Sequence, residues 1–496
     1  MIGRAIMVQG TGSDVGKSVF VAGLCWIAKR RGLKVAPFKP QNMSNNAAAC
    51  ADGGEIGRAQ ALQARACALD PQVDFNPVLL KPQSDKMAQV VVHGRALNTQ
   101  TAAEYMSRRD MLMGAVETSF TRLTNTYDLV IVEGAGSPAE VNLRARDIAN
   151  MGFARRLGVP VILLGDIDRG GVIASLVGTK AVIDPEDAAM ICGFAINKFR
   201  GDISLFEDGI KAIEERTDWP CLGVVPWLKA VARLPAEDAV VLDRATGRKD
   251  GKLRISAPML SRMANFDDAD PLKAEPNVDF AFIPPGKAIP RDSDVIILFG
   301  TKSTLADMAF LKEQGWDHDI IAHARAGGRV LGICGGFQML GRTLKDPDQV
   351  DGGISDIDGL GLLDVETVMT PDKQVRPVFG RHVMSKSEVS GYEIHAGRTS
   401  GQDMARPFLE LKHGPDGACS ANGLIEGTYV HGLFSSDLFR QRWLNDIRED
   451  VASDGLAFEA EVDQALDDLA DGLETALDID QLFGNARAPG WAPHLG

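Results

Sequence analysis

Gly10-Thr11-Gly12-Ser13-Asp14-Val15-Gly16-Lys17-Ser18 decides the fold of the N-terminal half. The run follows the β-rich Arg4–Gln9 and opens an apolar stretch from Ser18 to Ala28. Strand, glycine-rich turn, then helix is the order a phosphate-binding loop requires. Glycines let successive N–H groups face phosphate oxygens, and the helix start presents its positive end. Lys17 would neutralise the phosphates and Ser18 could ligate Mg²⁺. The spacing departs from the standard loop by one residue. Thr11 stands five positions before Gly16-Lys17, where glycine is usual, and Gly10 stands six before.

Outward from the loop, Lys34–Phe38, Leu129–Glu133, Pro160–Gly165, Ile191–Asn197 and Leu222–Val225 are short runs rich in Val, Ile and Leu, separated by helical stretches. Continuous apolarity implies strands buried on both faces, so an α/β fold with a doubly wound parallel sheet is expected. Such sheets bind ligands at the carboxyl ends of their strands. Phe38-Lys39-Pro40, Glu133-Gly134-Ala135-Gly136 and Asn197-Lys198 all stand at such ends.

Composition shifts around 227–251, and a second alternation follows with strand candidates Leu253–Ser256, Val295–Phe299, Arg329–Ile333 and Leu424–Tyr429. The expected organisation is a phosphate-loop domain over 1–228, a linker over 229–251, a second α/β domain over 252–444 and an acidic helical tail over 445–496. The tail holds 13 acidic and 2 basic residues, so it carries −11 of the net charge of −14 and leaves the body nearly neutral. Val462, Leu466, Leu469, Leu473 and Leu477 recur there at helical spacing, which predicts a docked amphipathic helix with its acids in solvent.

No basic stripe with interleaved aromatics appears, which argues against nucleic-acid binding. Ser18–Ala28 is too short to span a bilayer, and Lys29-Arg30-Arg31 closes it. The N-terminus is not arranged as a signal peptide. Seven cysteines at irregular spacing fit neither a disulfide framework nor a zinc site, so a cytoplasmic location is expected.

The second reactive feature is Gly332-Ile333-Cys334-Gly335-Gly336, a nucleophile elbow with cysteine in the serine position. A strained strand-to-helix turn leaves no room for side chains beside the nucleophile, and the helix start favours the thiolate. The N–H of Gly335 is placed to stabilise an oxyanion, and Gly300, in Gly300-Thr301-Lys302-Ser303, offers a second donor. His431, in Tyr429-Val430-His431-Gly432, is the best base among eight histidines. His395 is the alternative and is expected to shape the pocket.

Gly-Thr-x-x-x-Val-Gly-Lys-Ser resembles the loop of dethiobiotin synthetase and its amide-forming relatives. That resemblance implies ATP binding through Gly10–Ser18. It further implies a Mg²⁺ site at Ser18 and Glu133, a lysine near substrate and phosphate at Lys39, and base recognition by Asn197. The second half resembles the class I glutamine amidotransferases, whose cysteine releases ammonia from glutamine. Most of that class carry glutamate two residues after the histidine. Leu433 stands there, which suggests a Cys334–His431 dyad, or a weak glutaminase dependent on its partner domain.

The two halves in this order resemble the cobyrinate and cobyrate amidases of vitamin B12 synthesis. Pro37–Ala47, Glu55–Ala64, Gly165–Gly171 and Asn197–Asp202 are similar to the cobyrate-forming branch. The resemblance covers about residues 1–445 and excludes the acidic tail. It implies ATP- and glutamine-dependent amidation of the b, d, e and g carboxylates of adenosylcobyrinic acid a,c-diamide through acyl phosphates. Lys39, Gln41 and Asn42, with Arg58, Lys81, Arg144, Arg146 and Arg169, are candidates to meet that corrinoid and its carboxylates. Another amidase of this architecture, such as the a,c-diamide synthase or a cell-wall precursor amidase, would share both centres. A MinD-type switch ATPase would share the loop but leave Cys334 without a task.

Overall fold

Two parallel sheets, each closed off by helices, carry the two reactive motifs. The computed structural model describes residues 2–83, 87–101, 108–235, 251–449, 451 and 455–493, without side chains at 98–101. Most of the expected linker, residues 236–250, lies outside these.

The first sheet has the spatial order Cys221–Pro226, Ile191–Phe199, Val161–Asp166, Arg4–Gly10, Leu129–Glu133, Val35–Phe38, with all neighbours parallel. Each strand lies within a residue or two of its sequence-based position. Alternate residues of Arg4–Gly10 enter different cores, Ala5 and Met7 on one face and Ile6 and Val8 on the other. That two-sided burial is why the strands read as unbroken apolar runs.

A four-stranded sheet inserted after Val35–Phe38 was not foreseen: Gln41–Met43, Val78–Pro82, Met87–Val92 and Arg95–Thr101. With the hairpin Ala47–Ala49/Glu55–Gly57 and the helix Arg58–Ala66 it builds a flank facing the second domain. Ala47, Leu79 and Val91 pack there against Ile394.

The second domain's main sheet runs Val278–Ile283, Leu253–Pro258, Val295–Leu298, Arg329–Ile333, Ile425–Thr428, Ala418–Cys419, parallel except for the last strand. A five-stranded antiparallel sheet beside it includes Glu388–His395 and Val430–His431. The chain passes from one sheet to the other at Tyr429, which sets His431 at their junction.

The C-terminal segment returns to the first domain. Helix Phe458–Ala476 buries Val462, Leu466, Leu469 and Leu473 against helix Lys17–Arg30. A Cβ on Gly23 would approach Leu473 Cδ1 to 2.4 Å, so glycine there permits the close packing. The acids are not simply solvated. Asp471 pairs with Arg30 at 2.6 Å, Asp463 with Arg65 at 2.7 Å, and Asp467 accepts from Trp26 Nε1 at 2.6 Å. Such exposed pairs are worth about 0–1 kcal/mol each. Each buried leucine contributes about 1.5–3 kcal/mol, so the apolar face holds the helix.

Candidate active sites

The phosphate loop is held from within. Val15 is buried beneath it, and a Cβ on Gly10 would come within 2.5 Å of Val15 Cγ2. The extra residue in the loop is therefore taken up by tucking a side chain under it. Gly16 adopts φ 96° and begins helix Lys17–Arg30. Lys17 Nζ donates to Gly12 O at 2.8 Å and to Gly136 O at 3.0 Å, linking the loop to the turn after Glu133. Ser13, Asp14 and Gly16 line the adjoining cavity with Lys17 and Ser18, while Thr11 N bonds Leu164 O at 3.0 Å behind it.

Glu133, at the end of Leu129–Glu133, is 1% exposed and is the focus of this centre. One carboxylate oxygen accepts from Ser18 Oγ at 2.8 Å and Lys39 Nζ at 2.7 Å. The other accepts from Gln63 Nε2 at 2.6 Å and Gln60 Nε2 at 3.2 Å. Burial alone would raise this carboxyl, but Lys39 reverses the effect and holds it below the ordinary carboxylate range. Gln60 and Gln63 went unnoticed in the sequence as site residues. Ser18 and Glu133 together offer hydroxyl and carboxylate oxygens, which are hard donors suited to Mg²⁺.

Asn197 stands beside Gly16 of the loop. Its Nδ2 donates to Val15 O at 2.9 Å and braces the loop from behind. Gln41 and Asn42 line the cavity, and Asn42 donates to Gln60 Oε1 at 2.9 Å. The cavity measures about 1320 Å³ and extends from the loop to Lys273 and Phe280 of the second domain. Arg144, Arg146 and Arg169 also border it, Arg144 pairing with Asp187 and Arg169 with Asp14. Two of the expected corrinoid contacts turn elsewhere. Arg58 lies on Asp267 at 2.9 Å, and Lys81 lies on buried Glu55 at 2.9 Å, where Lys373 of the second domain joins them.

At the elbow, Cys334 adopts φ 54°, ψ −110°, an arrangement that L-residues rarely hold and that costs on the order of 1–3 kcal/mol. The neighbouring glycines permit it. A Cβ on Gly336 would meet Leu298 O at 1.9 Å, and one on Gly332 would meet Gly336 at 2.6 Å. Gly335 starts the following helix beside the backbone N of Thr301. Gly300 backs directly onto the His431 ring, since a Cβ there would lie 2.9 Å from His431 Cε1.

The dyad expectation is corrected by Asp268. His431 Nδ1 lies 2.7 Å from Asp268 Oδ2, and Gly432 N donates to Asp268 Oδ1 at 2.6 Å. Cys334 Sγ donates to Ile394 O at 3.5 Å. Both His431 and Asp268 are buried. Burial alone would lower the His431 ring, but Asp268 and then Cys334 raise it to about 10. The acid thus comes from the turn Phe266–Ala269, more than 160 residues before the histidine, rather than two residues after it. Leu433 is fully buried in the core, a place that would not suit a glutamate. Tyr392 stacks on His431 at 5.3 Å. His395 stacks on Tyr429 at 3.8 Å, and burial pushes it down to about 4, so it stays neutral beside the elbow.

A nucleotide loop and a cysteine–histidine–aspartate cluster in one chain define the class: ATP-dependent, glutamine-using amidating enzymes. Residues 6–241 match the CobQ/CobB/MinD/ParA nucleotide binding domain, and residues 254–439 match the CobB/CobQ-like glutamine amidotransferase domain. A cobyric acid synthase of Hyphomonas neptunium is 69% identical over 99% of both chains, and one of Paracoccus denitrificans is 62% identical over 97% of this chain and all of its own. This chain belongs to the cobyric acid synthase family of cobalamin biosynthesis. The first match spans 491 residues, so similarity continues through the C-terminal segment instead of stopping near 445. Among the described residues no helix is long and apolar enough to cross a membrane.

Proposed function

We propose that the chain amidates the b, d, e and g carboxylates of adenosylcobyrinic acid a,c-diamide, with ATP activating each carboxylate and glutamine supplying ammonia. The pairing of a buried Glu133–Lys39–Ser18 centre beside Lys17 with a Cys334–His431–Asp268 centre carries this reading. A carboxylate is a poor electrophile, so transfer of the γ-phosphoryl group creates an acyl phosphate. Lys17 and Lys39 stabilise the charge that moves during transfer. Ser18 and Glu133 would hold Mg²⁺, which when bound neutralises phosphate charge.

In the second domain His431, oriented by Asp268, takes the Cys334 proton, and the sulfur attacks the glutamine side-chain amide. The Gly335 amide and the Gly300–Thr301 loop stabilise the oxyanion. Protonation by His431 lets ammonia leave, and water then frees glutamate. Ammonia attacks the acyl phosphate and inorganic phosphate departs. The cavity of about 1320 Å³ exceeds the usual small-ligand range, which suits a nucleotide together with a bulky corrinoid. Lys39, Gln41 and Asn42 lie where such an acceptor would enter. We place this chemistry in the cytoplasm, with no nucleic-acid or membrane partner.

Mass spectrometry of the product tests the reading, since each amide formed lowers the mass by about one unit. Stepwise losses matching four amides are expected. Absence of any ATP-dependent product from the a,c-diamide would overturn the assignment.

A further inference from the structure

The first two turns of helix Arg58–Ala66 touch both centres. Gln60 and Gln63 grip the Glu133 carboxylate at 3.2 and 2.6 Å, and Gln63 also donates to Ser18 O at 3.1 Å. At its first residue Arg58 Nε lies 2.9 Å from Asp267 Oδ2. Asp267 adjoins Asp268, the partner of His431. The same turn is grasped a second time from the first domain: Asn265 N donates to Asn46 Oδ1 at 2.6 Å, and Ala47 N donates to Asn265 Oδ1 at 2.9 Å. Asn265 holds φ 53°, so the turn carrying both aspartates starts from a strained residue that is gripped across the interface.

We propose that Arg58 is a positioning residue for glutamine hydrolysis, and that helix Arg58–Ala66 ties the geometry of Asp268 to the state of Glu133 at the phosphate loop. Asp267 and Asp268 are buried side by side, and half-buried Asp270 follows them, paired with Lys273. Asp268 serves His431 only as an anion, and a neighbouring buried carboxylate works against that charge. The Arg58 guanidinium compensates. Even with it in place, burial pushes Asp267 up to about 6. Asp267 Oδ1 is buried with no hydrogen-bond partner among the described residues, so the pair rests on one oxygen and has a second bond to gain when the helix moves. A cation engaging Glu133 and Ser18 competes with Gln60 and Gln63 for the same carboxylate. The first two turns of the helix then carry that change to the glutaminase.

The inference rests on the proposed division of labour, and its test separates the two. In the full chain, Arg58→Gln is assayed with glutamine, with ammonium chloride, and for glutamate release with and without MgATP and the a,c-diamide. Glutamine-dependent kcat is expected to fall at least about 30-fold with KM for glutamine within about threefold, and the ammonium route to stay within about twofold. Arg58→Lys, keeping the charge, should recover to within about fivefold of the parent. MgATP and acceptor should stimulate glutamate release in the parent and not in Arg58→Gln. Glutamine-dependent kcat within twofold of the parent, or a parallel loss of the ammonium route, overturns the positioning role. A parent whose glutamate release ignores MgATP and acceptor overturns the link to the loop. If Arg58→Gln does not fold, Arg58→Met takes its place: a selective fall in glutamine use supports the proposal, and equal loss of both routes or of neither refutes it. Absence of ammonium-driven amidation in the parent would instead strike the division of labour itself.

Discussion

The two centres are built in opposite ways. The nucleotide centre draws on nine consecutive residues, on the ends of two strands next to each other in one sheet, Val35–Phe38 and Leu129–Glu133, and on helix Arg58–Ala66. The glutaminase centre gathers Cys334, His431 and Asp268 from three separate segments and two sheets, with Arg58 of the other domain behind them. Their carboxylates differ too. Glu133 is surrounded by four side-chain donors, whereas Asp268 spends one oxygen on His431 and the other on Gly432 N. A contiguous motif tolerates changes elsewhere in the chain, while an assembled one depends on every segment that holds its turn.

Substitutions can break this contrast. Cys334→Ala should abolish glutamine-dependent amidation by about 10⁴-fold or more while ammonium still supports product; parallel loss of both would mean that the centres are not separable. Lys17→Ala should reduce amidation from either nitrogen source by on the order of 10³-fold. Ammonium-driven product surviving in that variant contradicts the role given to the loop. Asp268→Asn should lower glutamine-dependent kcat by about 10²-fold and slow iodoacetamide alkylation of Cys334 at neutral pH, because the largest opposition to burial at the His431 ring is then gone. An unchanged alkylation rate would return the centre to a dyad.

The smallest effect is on stability. Burial pushes Glu426, which accepts from Trp443 Nε1 at 3.0 Å, up to about 7. The folded state therefore holds a proton there that the unfolded chain releases near its ordinary value. The stability tied to that proton is full below about 4.5 and is lost as pH rises to about 7. Glu133 has the opposite sign: its lowered carboxyl contributes above the ordinary range, and that contribution is lost as pH falls through its folded value. Glu426→Gln keeps an acceptor for Trp443 and should flatten the fall in Tm between about pH 5 and 7 by a few degrees. Calorimetry over that range that leaves the slope unchanged refutes the assignment.

This contrast also governs what could be read from the chain. The phosphate loop, Lys39 and Glu133 were legible because each sits at the end of a strand whose two-sided burial leaves an unbroken apolar run. Asp268 was not, because Phe266-Asp267-Asp268-Ala269-Asp270 looks like a solvated acidic turn, and only its place beyond the end of Leu253–Pro258 hinted otherwise. Pro37–Ala47 and Glu55–Ala64 stood out only through their resemblance to the cobyrate-forming branch. Several of their partners lie across the interface, at Asn265, Asp267 and Lys373. Chemistry dispersed over distant segments leaves no spacing to count.

The return of Phe458–Ala476 onto Lys17–Arg30 bears on how the protein is made. A ribosome releases the phosphate loop first and the helix that covers its base last. Until Leu469 and Leu473 emerge to meet Gly23, one side of the first sheet's helical layer has no cover. The bridges Ala5–Arg487 and Gly223–Leu477 close only then. The nucleotide domain is therefore the first to begin and the last to be finished, and the site that consumes ATP is completed only in a chain that already carries its own source of nitrogen.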